Sequence, residues 1–141
     1  MARATTNRIA KAVGLGAVSL VLNGPLWAAD TTLPSGHKVA LAEVIWGTPG
    51  PAGHTVRFRF VDGELAARVS NDGFVDAEAD MAHLCSEIAV PQIKDFGGAA
   101  PDQVIISISD RFLPLGDADP EAVQLFEAYR VENDGCVWEG F

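Results

Sequence analysis

Three histidines and a crowd of carboxylates are the residues of this chain best suited to chemistry. Asp80 and His83 stand three apart, with Glu87 four further on. On a helix that spacing sets them along one polar stripe, where a His–carboxylate pair would move a proton or hold a metal. A solvated helix face of ordinary i, i+3 and i, i+4 pairs is the plainer expectation. His37 and His54 each enter an alternating stretch beside a Gly- or Pro-rich segment, and would approach each other if those stretches paired as strands. An imidazole with a pKa of about 6.5 would there respond to pH. Asp110, Asp117, Asp119 and Glu121 crowd one loop around Gly116. Oxygen-rich loops suit calcium, but the EF-hand register of glycine and terminal glutamate is missing, so a solvated, helix-capping loop is expected. Ser107 and Ser109 lack a G-x-S-x-G elbow and read as the polar side of a strand. No catalytic residue, metal or cofactor is assigned. Trp46 beside the Pro-rich loop offers an aromatic shelf, and Trp46, Pro49, Pro51, His54, Asp110, Asp117 and Asp119 form the expected ligand or partner surface.

Two cysteines, Cys85 and Cys136, complete the reactive set. In an oxidising compartment an even count favours a disulfide, with two free thiols as the alternative. The loop of about 50 residues would then contribute on the order of 4 kcal/mol in the chain-entropy account. Their spacing is not that of a CxxC redox motif, and they make a poor zinc site. Trp138, two residues beyond Cys136, is placed to cover the bridge.

The elements that would position these groups follow from periodicity. Lys38–Trp46 alternates, with Ala40, Ala42, Val44 and Trp46 expected on the core side. Gly47–Gly53 is too rich in Pro and Gly for anything but a loop. In Thr55–Val61, Val56, Phe58 and Phe60 face one way and Arg57 and Arg59 the other. Asp62-Gly63 is a hairpin signal, so Glu64–Val69 is expected to return as a strand. Asp76–Val90 predicts the main helix, with Met81, Leu84, Cys85 and Ile88 on one apolar stripe and Pro91 as its stop. Gln103–Ser109 is dense in β-branched residues and predicts a central strand. The tail reads as a closing hairpin across Asn133-Asp134-Gly135, although a helix from Asp119 to Phe126 competes for part of it. The sum is an α+β fold: an antiparallel or mixed sheet of about five strands with one main helix packed on a face.

The chain begins with Arg3, Arg8 and Lys11, an apolar run from Ala12 to Leu22, a break at Asn23-Gly24-Pro25, and Ala28-Ala29. These are the parts of a secretory signal, and the run is shorter than the roughly 20 residues of a permanent bilayer span. Residues 1–28 are therefore expected to be cleaved, leaving an irregular lead-in over 29–36 and a single domain over 37–141, without a stable membrane anchor. Every acidic residue lies at Asp30 or later, so removal leaves seven basic residues against 19 acidic ones, a net charge of −12. Such a surface excludes nucleic acid and anionic lipid as electrostatic partners.

The segment DMAHLC (Asp80–Cys85), the strand VIISISDR (Val104–Arg111) and the run DPEAVQLFEAYRVENDGCVWEGF (Asp119–Phe141) resemble a small family of exported alphaproteobacterial proteins of unknown function. The resemblance covers the chain from about Leu33 and implies a periplasmic location with both cysteines as a set. It implies no activity and no site residues. The expectation is a small acidic periplasmic protein, more a non-catalytic binding or accessory module for a protein or small molecule than an enzyme. The alternative is a small hydrolase using His83 or His54 with a carboxylate.

Overall fold

Strand pairing begins where the alternation is cleanest. β3 (Gly53–Val61) and β4 (Gln103–Ser109) lie side by side and parallel, with Phe58 opposite Ile106. The structure is a computed structural model that describes residues 30–50, 52–71 and 73–140; the expected signal segment, Pro51 and Phe141 lie outside them. All seven residues of β4 are buried, as a β-branched strand at the centre of a sheet should be. β1 (Thr31–Thr32), β2 (Lys38–Gly50), β5 (Gln124–Glu132) and β6 (Gly135–Glu139) complete a sheet of order β1-β2-β3-β4-β5-β6. Every pair except β3–β4 is antiparallel. The class is α+β as expected, with six strands where about five were anticipated.

A parallel pair requires a crossover, and a helical segment supplies it. It comprises α1 (Leu65–Ser70), α2 (Phe74–Leu84), a π-helical turn at Cys85–Ala89 and α3 (Val90–Phe96). These helices cover one face of the sheet, where Leu65, Met81, Leu84, Cys85 and Ala89 pack on Val56, Phe58, Phe60, Val104, Ile106, Ile108 and Tyr129. The expected stripe of Met81, Leu84, Cys85 and Ile88 thus meets the core.

Four expectations need correction. The segment after Asp62-Gly63 is the helix α1 and not a returning strand. The Asp62 side chain accepts the Glu64 N–H at 2.8 Å and its carbonyl accepts the Leu65 N–H at 3.0 Å, so the turn starts a helix. Ala66 and Ala67 favour that choice, and Leu65 and Val69, four apart, both face the core. Pro91 does not stop the main helix. The Val90 N–H reaches back to the Cys85 carbonyl in a widened turn, and the chain passes the proline into α3. A π-turn relieves the clash that an α-register would force between the Pro91 ring and the preceding turn. Gly97, at φ +71°, then closes α3 in the left-handed conformation.

The third correction is in β2, which continues through the Pro-rich segment to Gly50 and changes face midway. The register shifts between Leu41 and Glu43, so Val39 and Leu41 face the core before the bulge and Val44 after it. One inserted residue moves every later side chain to the other face. Fourth, the lead-in is tied down: Thr31 pairs with Val39, and Leu33 is buried in the core.

The closing hairpin forms as expected. Asn133 and Asp134 take φ +48° and +66°, the two positive values a type I′ turn needs, and Gln124 onward is strand, not helix. Cys85 and Cys136 are joined in a disulfide, with Cα atoms 6.1 Å apart, which fastens β6 to the helical layer. No helix among the described residues is long and apolar enough to cross a membrane.

Candidate functional site

The sheet face turned away from the helices carries Arg57, Arg59, Ile105, Ser107 and Phe126, which the pairing register sets on neighbouring strands. The segment after β4 folds back over it, so that Leu113, Pro114, Leu115, Gly116 and Asp117 face Arg57, Arg59, Ile105, Ser107, Gln124 and Phe126 across a cleft of about 250 Å³. Arg59 fastens this roof. It is 9% exposed, donates from Nη1 to Glu43 Oε2 at 2.6 Å and from Nη2 to the Leu113 carbonyl at 2.5 Å, and lies 5.8 Å from the centre of the Phe112 ring. Its charge is committed to Glu43.

Arg57 differs. Its register neighbours are Ile45 and Ile105, and its Nε is buried without a hydrogen-bond partner. The other four arginines among the described residues meet carboxylates: Arg59 meets Glu43, Arg68 meets Asp62 and Asp80, Arg111 meets Asp110 and Asp119, and Arg130 meets Glu132 and Glu139. In a chain with 19 acidic residues, Arg57 lines a cleft with no carboxylate paired to it among the described residues.

The residues expected from the sequence to form one surface separate into two groups. Trp46 and His54 line a cleft of about 290 Å³ with Phe96 and Pro101, at the end where β3 and β4 begin. The Trp46 ring stacks on Phe96 at 4.1 Å and 15°, so its shelf is occupied by the end of α3 and not left to the Pro-rich loop. The His54 N–H donates to Asp102 at 2.8 Å. Pro49 pairs with His54 in the β2–β3 ladder, and Pro51 lies outside the described residues. Asp110, Asp117 and Asp119 stand in the segment that leaves the opposite end of β4. Asp110 and Asp119 both converge on the Arg111 guanidinium, at 3.0 and 3.1 Å, and that contact first of all holds the Asp110 carboxyl below its ordinary pKa. Asp117 alone of the three lines the Arg57 cleft.

The histidines do not converge either. β2 and β3 run antiparallel, which puts His37 and His54 at opposite ends of the pair. His37 Nδ1 stands 3.5 Å from Glu64 Oε2, on a carboxylate whose side chain is 81% exposed. Asp80 is not part of a solvated stripe with His83: it is 1% exposed and accepts from Arg68 Nη2 at 2.6 Å, Ser35 Oγ at 2.6 Å and the Ser35 N–H at 3.1 Å. Arg68 also donates to Asp62 at 3.1 Å, closing a buried Asp62–Arg68–Asp80 triad. Trp138, expected to cover the disulfide, is 59% exposed.

Residues 17–141 match the model of a family described as a family of unknown function, DUF6497. The chain belongs to that family. The matched span contains both cysteines, the buried triad and the whole Arg57 cleft. Neither the curated proteins nor the solved structures contain a significant match to the chain.

Sequence reasoning passed over Arg57 and Arg59 as the polar side of an alternating strand. A signal was available: they are two of only seven basic residues from Asp30 onward, placed on one face of a strand with apolar neighbours. Arg68 offered none, because its partners Asp62 and Asp80 come from a turn and a helix that only the tertiary fold brings together.

Proposed function

We propose that this family member is a small, exported, non-catalytic binding module of the periplasm, and that the Arg57 cleft is its ligand site. The buried Arg57 Nε carries the reading. A buried donor left without a partner costs about 1–3 kcal/mol, and the same guanidinium lines the cleft with no carboxylate paired to it among the described residues. The rest of the cleft suits binding and offers little for catalysis. Its lining joins apolar side chains to a few polar groups, and it holds no histidine beside a nucleophile. The scattered placement of His37, His54 and His83 speaks against the hydrolase alternative. Export rests on the leader-like N-terminus and accords with the Cys85–Cys136 bridge, which an oxidising compartment would maintain. The acidic balance of the chain speaks against nucleic acid as the partner.

Screening the purified chain by thermal shift against a library of small metabolites tests the reading, with chromogenic esters and amides assayed in parallel. Ligands that raise the melting temperature of the chain but not of Arg57→Met, with no turnover, are the expected result. Turnover of an ester or amide that survives Arg57→Met would contradict it.

A further inference from the structure

The chemistry of the cleft defines the class of ligand more narrowly, and the following rests on reading that cleft as the binding site. We infer that it takes a small monocarboxylate on a short apolar body, with Arg57 as the carboxylate clamp.

The anion count comes first. Arg59 is spent on Glu43 and on the Leu113 carbonyl, so Arg57 is the one guanidinium of the cleft free to neutralise a ligand. Asp117 stands on the same lining, and the chain around it is strongly acidic. A dianion such as phosphate exceeds the single charge of Arg57 and meets the repulsion of that field twice over, whereas a monocarboxylate matches the guanidinium and meets less of it. Geometry agrees, because a planar guanidinium fork pairs with a planar carboxylate through two parallel hydrogen bonds.

The body of the ligand follows from the walls. Ile105, Leu113, Leu115 and Phe126 give the lining its apolar part, while Ser107 and Gln124 add polar contacts near the arginine pair. The volume of about 250 Å³ lies just below the ~300–1,000 Å³ of drug-sized sites. A branched chain of a few carbons suits that space. Arg59 donates to the Leu113 carbonyl and lies against Phe112, so it acts as a positioning residue for the roof.

Two sources share this chemistry, a simple branched carboxylic acid and a free apolar amino acid whose ammonium would face Asp117. Isocaproate and leucine have the same carbon skeleton and tell the two apart. Calorimetric titration of the purified chain with isocaproate, leucine, isohexyl alcohol and inorganic phosphate is the test. At least one of the two carboxylates should bind, and Arg57→Met should weaken that binding by roughly ten- to a hundred-fold, the worth of a charge-assisted hydrogen bond. Arg57→Lys should restore part of it, since the charge returns without the fork. Leu115→Ala, on the exposed roof, should weaken binding of the branched acid. Phosphate or the alcohol binding as tightly as either acid, with the Arg57 dependence intact, would overturn the ligand class but keep the site. Carboxylate binding indifferent to both Arg57→Met and Leu115→Ala would overturn the site as well.

Discussion

At the scale of single residues, side-chain environment and not residue type separates the functional candidates. Arg57 and Arg59 stand two apart on one strand face, yet Arg59 is bonded to Glu43 and the Leu113 carbonyl while Arg57 has a buried nitrogen with no acceptor. Tyr129, the only tyrosine of the chain, shows the same principle in its titration. It is buried, and its hydroxyl donates to Glu127 at 2.7 Å. Burial first, and then the Glu127 carboxylate, push the phenol far above its ordinary pKa. The folded state therefore keeps a proton that the unfolded chain releases near pH 10. Stability from this group is present below pH 10 and is lost as pH rises above it, at up to about 1.4 kcal/mol per pH unit. Tyr129→Phe should remove that part of the alkaline loss, measured as the difference in denaturation midpoint between the two proteins from pH 9 to pH 11. An identical pH dependence would show that the phenol titrates freely.

At the scale of elements, the sequence was legible where periodicity stayed unbroken and silent where the backbone changed register. β4 was read to the residue because its β-branched run is bounded by clear turns, and the Met81–Ile88 stripe was read because its spacing is regular. The bulge in β2 was not legible, since one inserted residue reverses the inward face without altering the composition on either side. Nor was α1, whose Asp62-Gly63 start has the same residues as a hairpin turn; the choice was made by the buried triad that Asp62 joins. That triad locks the start of α1 and the middle of α2 to the lead-in through Ser35. Arg68→Met would leave two carboxylates buried without their cation, and should cost about 3–5 kcal/mol by denaturant unfolding. Replacing Asp62, Arg68 and Asp80 together by apolar residues of similar volume should cost much less. A triple variant as unstable as Arg68→Met would mean that the triad is net stabilising and not merely expensive to break. The Arg57 cleft was legible only in part: the alternation put both arginines on one face, but the roof over them depends on a long-range contact to Leu113 that no local pattern encodes.

At the scale of the whole molecule, three features act together: the leader-like start, the Cys85–Cys136 bridge and the acidic charge balance. The bridge spans 51 residues and anchors β6, the last strand of the sheet, to the π-helical turn. Replacing both cysteines by serine should lower stability by about 2–5 kcal/mol, with amide exchange rising first in β6. Equal protection of β6 in both proteins would show that the strand needs no fastening. Export predicts that protein from the cell envelope begins at Ala29; an N-terminus at Met1 in that fraction would refute it. The central claim is that ligand binds on the sheet face opposite the helices. Mapping backbone amide shifts as isocaproate is added tests it most directly. The account predicts shifts at Arg57, Ile105, Ser107 and the Leu113–Asp117 segment, and their loss in Arg57→Met; shifts confined to Trp46, His54 and Phe96 would contradict it.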